Sequence, residues 1–141
     1  MQVGDLVSRD VQVINPDTLL KDAAKIMRAR NIGLLPVCDD HSLVGVLSDR
    51  DIILRSTARG SKPMKTRAYE VMTTEVICCF ADQEIQEAVT TIRGKQFRRL
   101  PVIDRNKKFL GFVSLTQLIA LAGDEKLTDK VMIRIPQPVR V

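Results

Sequence analysis

The 141-residue sequence predicts an α+β fold that consists of two β-α-β-β-α repeats. The first observation behind this prediction is an internal duplication: Pro36-Val37 recurs 65 residues later as Pro101-Val102, and Gly45 recurs as Gly111. The second is that each copy contains one segment with apolar residues at helical spacing. The third is that each copy then contains two short apolar runs joined by a polar turn, which is typical of paired strands. Two copies with the same order of elements indicate a duplicated unit.

In the first repeat, the pattern predicts a short strand over residues 11–14 and paired strands over residues 34–38 and 43–47. Between them lies a helix whose apolar face comprises Leu20, Ala23, Ala24 and Met27. A last helix begins near Asp51 and ends near Gly60, because glycine readily takes the left-handed conformation that closes a helix. A short lead-in segment, residues 3–8, precedes the repeat.

The residue pattern of the second repeat predicts the same elements in the same order. A strand covers residues 76–80, paired strands cover residues 100–103 and 109–113, and a last helix ends near Gly123. The apolar face of its first helix comprises Ile85, Ala88, Val89 and Ile92. Residues 68–73 form the second lead-in segment.

These patterns divide the chain into four parts. Residues 1–60 form the first repeat with its lead-in, residues 61–67 a basic linker, and residues 68–123 the second repeat. Residues 124–141 form a tail with no counterpart in the first repeat. Alternation in the tail predicts a possible strand that two prolines end; the residues concerned are Val131, Ile133, Ile135, Pro136 and Pro138.

Composition narrows the possible functions. The hydrophobic share of 45% is enough for a core, and neither a signal peptide nor an apolar run of about 20 residues is present, so we expect a soluble, cytoplasmic protein. Cysteines 38, 78 and 79 lie in apolar stretches and lack the spacing of metal ligands, which predicts reduced, buried thiols and no metal site. The net charge of +5 suits an anionic partner without distinguishing a nucleotide, a nucleic acid and a membrane surface.

Residues 45–52, Gly-Val-Leu-Ser-Asp-Arg-Asp-Ile, run from a buried strand directly into a helix. The first N–H groups of a helix and the Ser48 hydroxyl suit a phosphate, and the Asp51 carboxylate suits the vicinal hydroxyls of a ribose. The turn therefore predicts a nucleotide site. Ser and Asp are also frequent helix N-caps, so capping is the alternative interpretation of the same two residues.

The two Pro-Val strands, the Gly-x-x-Ser turns at residues 45–48 and 111–114, and the Val-Met-Thr lead-in at residues 71–73 together resemble a tandem pair of cystathionine β-synthase (CBS) domains, or Bateman module. The resemblance spans roughly residues 1–123. It implies that the repeats pack as a pseudo-two-fold pair, form homodimers and do no chemistry themselves. It also implies binding of an adenosine-containing ligand, such as AMP, ADP, ATP or S-adenosylmethionine, in a cleft between the repeats.

The resemblance also assigns site residues. For the first cleft they are Ser48, Asp51, Arg98 and Arg99 for the ribose and phosphate, and Val46, Ile77 and Cys78 for the adenine. Solvated surface positions at a strand start are the alternative interpretation of the two arginines.

The second cleft matches the family less well. It keeps Ser114, but Gln117 replaces the ribose-binding Asp, and Gly33 and Leu34 replace the arginines. A neutral amide binds a diol less strongly than a carboxylate. We therefore predict one competent site, with a weak or degenerate second one.

These features favour a regulatory module that binds an adenine nucleotide and signals to an effector protein in another chain. A non-catalytic interaction scaffold or a basic nucleic-acid-binding protein is the alternative, because residues 55–67 are rich in Lys and Arg. Tyr69 and four phenylalanines leave few aromatics for base stacking, so a nucleic-acid partner is not expected, and neither is a membrane. A single histidine, His41, leaves no catalytic constellation, so we expect no enzyme.

Overall fold

The computed structural model of the chain describes residues 1–91 and 98–122. Ile92, Gly123 and the tail at residues 124–141 therefore lie outside the described residues. The elements in chain order are α1 (Leu20–Arg30), β1 (Leu34–Asp39), β2 (Ser42–Ser48), α2 (Asp49–Arg55), α3 (Ala68–Val71), β3 (Cys79–Phe80), α4 (Ile85–Thr91), β4 (Arg99–Ile103), β5 (Phe109–Ser114) and α5 (Leu115–Ala122), with 3₁₀ helices at Val3–Leu6 and Thr57–Arg59. The predicted α+β class is confirmed. No helix of this described part is long and apolar enough to cross a membrane.

The predicted strand over residues 11–14 is reduced to one bridging residue. The Ile14 N–H donates to the carbonyl of Pro36 (3.0 Å), and the Ile14 carbonyl accepts from the N–H of Cys38 (2.9 Å). Only Ile14 reaches the edge of β1, so the alternating pattern before it produces no ladder. In the second repeat, likewise, β3 covers only the last two residues of the predicted strand.

Two helix details also differ from the prediction. Ala24 is exposed, because the buried face of α1 runs through Leu20, Ala23 and Met27. α2 begins at Asp49 and ends at Arg55, and the left-handed Gly60 closes the 3₁₀ helix that follows. The prediction placed the start near Asp51, about two residues after the observed one.

The chain forms two compact units. The first unit comprises residues 10–76 and 106–109; the second comprises residues 1–9, 77–105 and 110–141, of which residues 92–97 and 123–141 are not described. Each unit therefore contains the lead-in segment of the other repeat. Residues 68–73 lie in the unit of the first repeat, and residues 3–8 lie in the unit of the second.

The first unit is organised around an antiparallel hairpin of β1 and β2. Asp40 and His41 form its turn with positive φ angles of 48° and 73°, which suits a tight hairpin connection. Its core comprises Ile14, Leu20, Ala23, Met27, Leu35, Val37, Leu47, Ala68 and Val71. The last two come from the lead-in helix α3, so the lead-in is part of this core.

The second unit contains a sheet of order β3-β4-β5, in which β3 runs parallel to β4. Its core comprises Val3, Cys79, Ile85, Ala88, Val89, Leu100, Val102, Val113, Leu115, Leu118 and Ile119. Val3, from the N-terminal lead-in, is completely buried. Both lead-ins thus contribute apolar side chains to the unit that they join.

Each lead-in also pairs with the last strand of its unit through backbone hydrogen bonds. Thr73 and Val46 exchange two such bonds of 2.9 Å, and Ser8 and Phe112 exchange bonds of 2.9 and 3.4 Å. The residue before each strand partner is glycine. A Cβ atom at Gly45 would lie 2.8 Å from the carbonyl oxygen of Thr73, and one at Gly111 would overlap the carbonyl oxygen of Ser8. The duplicated glycine is therefore required by the close approach of the lead-in backbone.

We expect Gly111→Ala to lower the free energy of unfolding by about 2–4 kcal/mol, because it combines a backbone overlap with a φ of 151° that L-residues rarely adopt. Gly60→Ala is the matched control: Gly60 also has a positive φ (77°), but its Cβ would meet nothing within 4 Å. It should cost only about 1 kcal/mol. Urea unfolding of both variants measures the difference, and equal losses would contradict the close approach at Gly111.

Candidate functional site

Ser48 and Asp51 form a reciprocal pair at the start of α2. The Asp51 N–H donates to Ser48 Oγ (3.0 Å), and the Ser48 N–H donates to Asp51 Oδ2 (2.9 Å). Ser48 has extended backbone angles (φ −101°, ψ 160°), as an N-cap residue requires. The two residues are a capping box, which satisfies two N–H groups that would otherwise lack partners. The capping interpretation of the turn is thus realised in the structure.

Asp51 has further partners beyond the helix. Asp51 is buried, with only 8% of its surface exposed. The Thr73 hydroxyl donates toward both carboxylate oxygens, at 3.2 Å from Oδ1 and 3.3 Å from Oδ2. Arg55 Nε lies 3.8 Å from Oδ1. Burying a carboxylate is costly unless it is hydrogen-bonded or paired, and here both conditions hold.

Arg55 also connects α2 to the lead-in. Its Nη1 donates to the carbonyls of Val71 (3.3 Å) and Met72 (3.2 Å). The same guanidinium therefore attracts the Asp51 carboxylate and binds the two residues before Thr73. As a result, the position of the lead-in and the position of the carboxylate depend on the same side chain.

The second repeat lacks this arrangement at the corresponding turn. The Gln117 N–H lies 3.5 Å from Ser114 Oγ, a much weaker contact than its counterpart in the first repeat. Gln117 is exposed, whereas Asp51 is buried. The two turns therefore differ in side-chain position as well as in residue type.

The alignment of Gly33 with Arg98 also has a structural basis. The Asp49 N–H donates to the carbonyl of Gly33, and the Leu115 N–H donates to the carbonyl of Arg98, both at 2.9 Å. The two positions are thus equivalent within their own units. A Cβ atom at Gly33 would lie 2.7 Å from Asp49 Oδ2, so this position has an acidic neighbour and little room.

The predicted site residues are divided between the two units. Ser48, Asp51 and the half-buried Val46 lie in the first unit. The exposed Arg98 and Arg99 and the half-buried Ile77 and Cys78 lie in the second. The structure brings Ser48 and Asp51 together, and a single nucleotide site that joins both groups stays a prediction.

Sequence reasoning missed Thr73 as a partner of the carboxylate. Its only sequence signal was the lead-in alignment, in which Thr73 corresponds to Ser8, so both lead-ins carry a hydroxyl at this point. The contact itself joins residues 22 positions apart and depends on which strand the lead-in pairs with. A local pattern does not contain that information.

The comparison with known families agrees with this architecture. The model of the CBS domain matches residues 3–57 and 68–124, which is most of the chain. The protein belongs to the CBS-domain family. It carries two CBS repeats, as predicted, and its turns at Ser48 and Ser114 lie at the same place in each repeat.

Relatives of this CBS pair are known in sequence and in structure. The CBS domain-containing protein YhcV of Bacillus subtilis is 35% identical over 116 residues, which cover 82% of this chain and 81% of YhcV. The crystal structure of Hypoxic Response Protein I with two coordinated zinc ions has a TM-score of 0.74 at 32% identity, covering 86% of this chain and 98% of its own. The structure of CBSX2 in complex with AMP has a TM-score of 0.70 at 26% identity, covering 89% and 98%.

One relative of the CBS pair, Hypoxic Response Protein I, holds two coordinated zinc ions. Across residues 1–91 and 98–122, no three His, Cys, Asp or Glu side chains are grouped so as to hold a metal ion.

The three cysteines of the CBS pair were all predicted to be buried, but Cys78 is half-buried. Cys38 and Cys79 are buried, and burial raises the pKa of each to about 11. The neighbouring Cys78 adds to the increase at Cys79, while the pKa of the half-buried Cys78 is itself raised by burial. Since the thiolate is the reactive form, these groups are poor nucleophiles near neutral pH.

We expect Ser48→Ala to lower the free energy of unfolding by about 1 kcal/mol, because it removes the acceptor for the Asp51 N–H. Ser114→Ala is the matched change in the other CBS repeat and should cost only a few tenths of a kcal/mol, given its 3.5 Å contact. Urea unfolding of both variants tests this difference. A larger loss for Ser114→Ala would contradict the asymmetry of the two turns.

The buried thiols also predict a dependence of stability on pH. Between about pH 9 and 11 the unfolded chain loses thiol protons that the folded chain keeps, so the stabilisation from Cys38 and Cys79 is complete below pH 9 and lost as the pH rises through about 11. The free energy of unfolding of the wild type should therefore fall toward that of a Cys38→Ala/Cys79→Ala variant. Both proteins contain the same Lys and Tyr side chains, so the difference between their free energies of unfolding reports on the two thiols. A difference that stays constant as the pH rises would refute the raised pKa values of Cys38 and Cys79.

Proposed function

We propose that this CBS pair is a regulatory module that binds an adenine nucleotide, with AMP as the simplest candidate. The observation that carries the proposal is the Asp51 carboxylate, which is buried at the turn where the family resemblance expects a ribose. Its relative CBSX2 was crystallised in complex with AMP, which supports the choice of ligand. A module of this kind binds and releases its ligand without altering it.

Each predicted residue has a role in the proposed site. Asp51 accepts the hydroxyls of the ribose, and a hydroxyl–carboxylate bond is among the stronger hydrogen bonds in proteins. Arg98 and Arg99 bind phosphate oxygens, for which the guanidinium fork is well shaped. Val46, Ile77 and Cys78, all half-buried, provide the apolar contacts of the adenine.

Phosphate binding in this proposal depends on the arginines and the Ser48 hydroxyl. α2 has only seven residues, and its first turn contains both Asp49 and Asp51. These carboxylates offset the positive end of the short helix, so its dipole contributes little to anion binding. Cationic side chains are therefore needed to attract a phosphate.

The second turn is the weaker candidate. Gln117 offers an uncharged amide and is exposed, and Gly33, at the position equivalent to Arg98, lies beside the Asp49 carboxylate. An acidic neighbour repels a phosphate. We propose that this second site is empty, weak or specific for a ligand without phosphate.

Signalling follows from differential binding. A nucleotide that binds one conformation more tightly than another shifts the population toward it, and an effector protein that distinguishes the two then responds. The homodimer expected from the family resemblance would provide the surface for such an effector.

Isothermal titration with AMP, ADP, ATP and S-adenosylmethionine tests the proposal. We expect saturable binding of AMP that Asp51→Ala weakens by about 1.5–3 kcal/mol, because the variant loses a charged hydrogen-bond acceptor. Gln117→Ala, the matched change in the second repeat, should have little effect. Circular dichroism shows that each variant is folded before its titration.

Two outcomes would contradict the proposal. Equal effects of the two substitutions would show that the first turn is not the dominant site. If no adenosine ligand produces heat, the turn serves only as a helix cap and the protein acts through protein contacts alone.

A further inference from the structure

We infer that Thr73 is a positioning residue for the Asp51 carboxylate, and that through it Thr73 controls recognition of the ribose hydroxyls. This inference rests on the proposed function, since it names the residue that orients the group on which nucleotide binding depends. Thr73 belongs to the lead-in segment and to the same compact unit as Asp51.

Two donors define the orientation of the carboxylate. The Ser48 N–H bonds Oδ2 at 2.9 Å, and the Thr73 hydroxyl lies almost equally far from Oδ1 (3.2 Å) and Oδ2 (3.3 Å). A donor placed across both oxygens restricts rotation of the carboxylate plane, which a single bond to one oxygen does not. The carboxylate is therefore fixed in position by Ser48 and in rotation by Thr73.

The arrangement leaves capacity for a ligand. A carboxylate offers about four lone-pair directions, and Ser48 and Thr73 together use only part of them. Arg55 Nε lies 3.8 Å from Oδ1, which is beyond hydrogen-bond distance. Oδ1 therefore retains acceptor capacity that a pair of ribose hydroxyls could use.

Thr73 is itself held firmly. Its N–H and its carbonyl are both bonded to Val46 at 2.9 Å, and Arg55 binds the carbonyls of the two preceding residues. A β-branched side chain on a fixed backbone has restricted rotation about χ1. The hydroxyl is thus placed by the lead-in backbone, and so is the carboxylate that it contacts.

The second repeat shows that a hydroxyl at the lead-in position does not by itself imply a carboxylate partner. Ser8 occupies the position equivalent to Thr73 and pairs with Phe112 in the same way, but Gln117 replaces the acid and is exposed. A hydroxyl and a buried carboxylate therefore coincide only in the repeat for which nucleotide binding is proposed.

The test compares two ligands in wild type and in Thr73→Val, which keeps the shape of the side chain and removes its hydroxyl. The ligands are AMP and 2′,3′-dideoxyadenosine 5′-monophosphate, which lacks the ribose diol. We expect the Kd for AMP to rise roughly tenfold in the variant, as for loss of one hydrogen bond to a charged group. The Kd for the dideoxy ligand should be the same in both proteins, and Thr73→Ser should restore AMP binding.

Ser8→Ala is the control that removes the equivalent hydroxyl, and it should leave the Kd for AMP unchanged. A purely structural role of Thr73 predicts that Thr73→Val weakens both ligands equally, and that result would overturn the inference. Unchanged AMP binding in a folded Thr73→Val protein overturns the inference alone. Failure of the wild type to bind AMP overturns it together with the proposed function.

Discussion

The structure depends on two antiparallel backbone crossings, Thr73 with Val46 and Ser8 with Phe112. Each crossing joins a lead-in segment to the last strand of the unit that contains it. Backbones that exchange hydrogen bonds must lie close together, and the adjoining residue on the strand must then lack a Cβ atom. Gly45 and Gly111 meet that requirement. The glycine of each Gly-x-x-Ser turn is therefore required for packing of the lead-in backbone against the strand.

The crossings also explain how two small repeats complete their cores. Below about 70–80 residues a hydrophobic core supplies limited stability, so each additional apolar side chain matters. The lead-ins add Val3 to one core and Ala68 and Val71 to the other, each almost completely buried. The exchange of lead-ins thus makes the stability of each unit dependent on a segment that belongs, in sequence, to the other repeat.

The elements that could be predicted are those with a local signal. The paired strands and the first helix of each repeat follow from periodicity, and the duplication confirms each assignment with a second copy. Ala24 was misplaced because periodicity defines the width of an apolar face only approximately, and Ile14 was extended into a strand because an alternating pattern does not reveal how much of it has a neighbour.

The site was predictable only in part for the same reason. Ser48 and Asp51 lie three residues apart, so the contact between them could be predicted from their spacing. Thr73 reaches Asp51 from a distant segment, and nothing in the spacing of the two residues indicates the contact. Its recognition requires the topology of the lead-in, which the sequence repeats do not specify.

The structure finally changes the relation between capping and binding, which the sequence presented as alternatives. Ser48 Oγ accepts from the Asp51 N–H, and a hydroxyl that accepts one bond still has its proton to donate, for example to a phosphate oxygen. Asp51 Oδ2 accepts from the Ser48 N–H, and the Thr73 hydroxyl lies within hydrogen-bond distance of both Oδ1 and Oδ2. The capping box therefore uses one half of each functional group and fixes the direction of the other half. A site binds more tightly when its groups are already oriented. Capping and the proposed ribose and phosphate binding are therefore compatible, and the cap would preorganise the two groups for such a ligand.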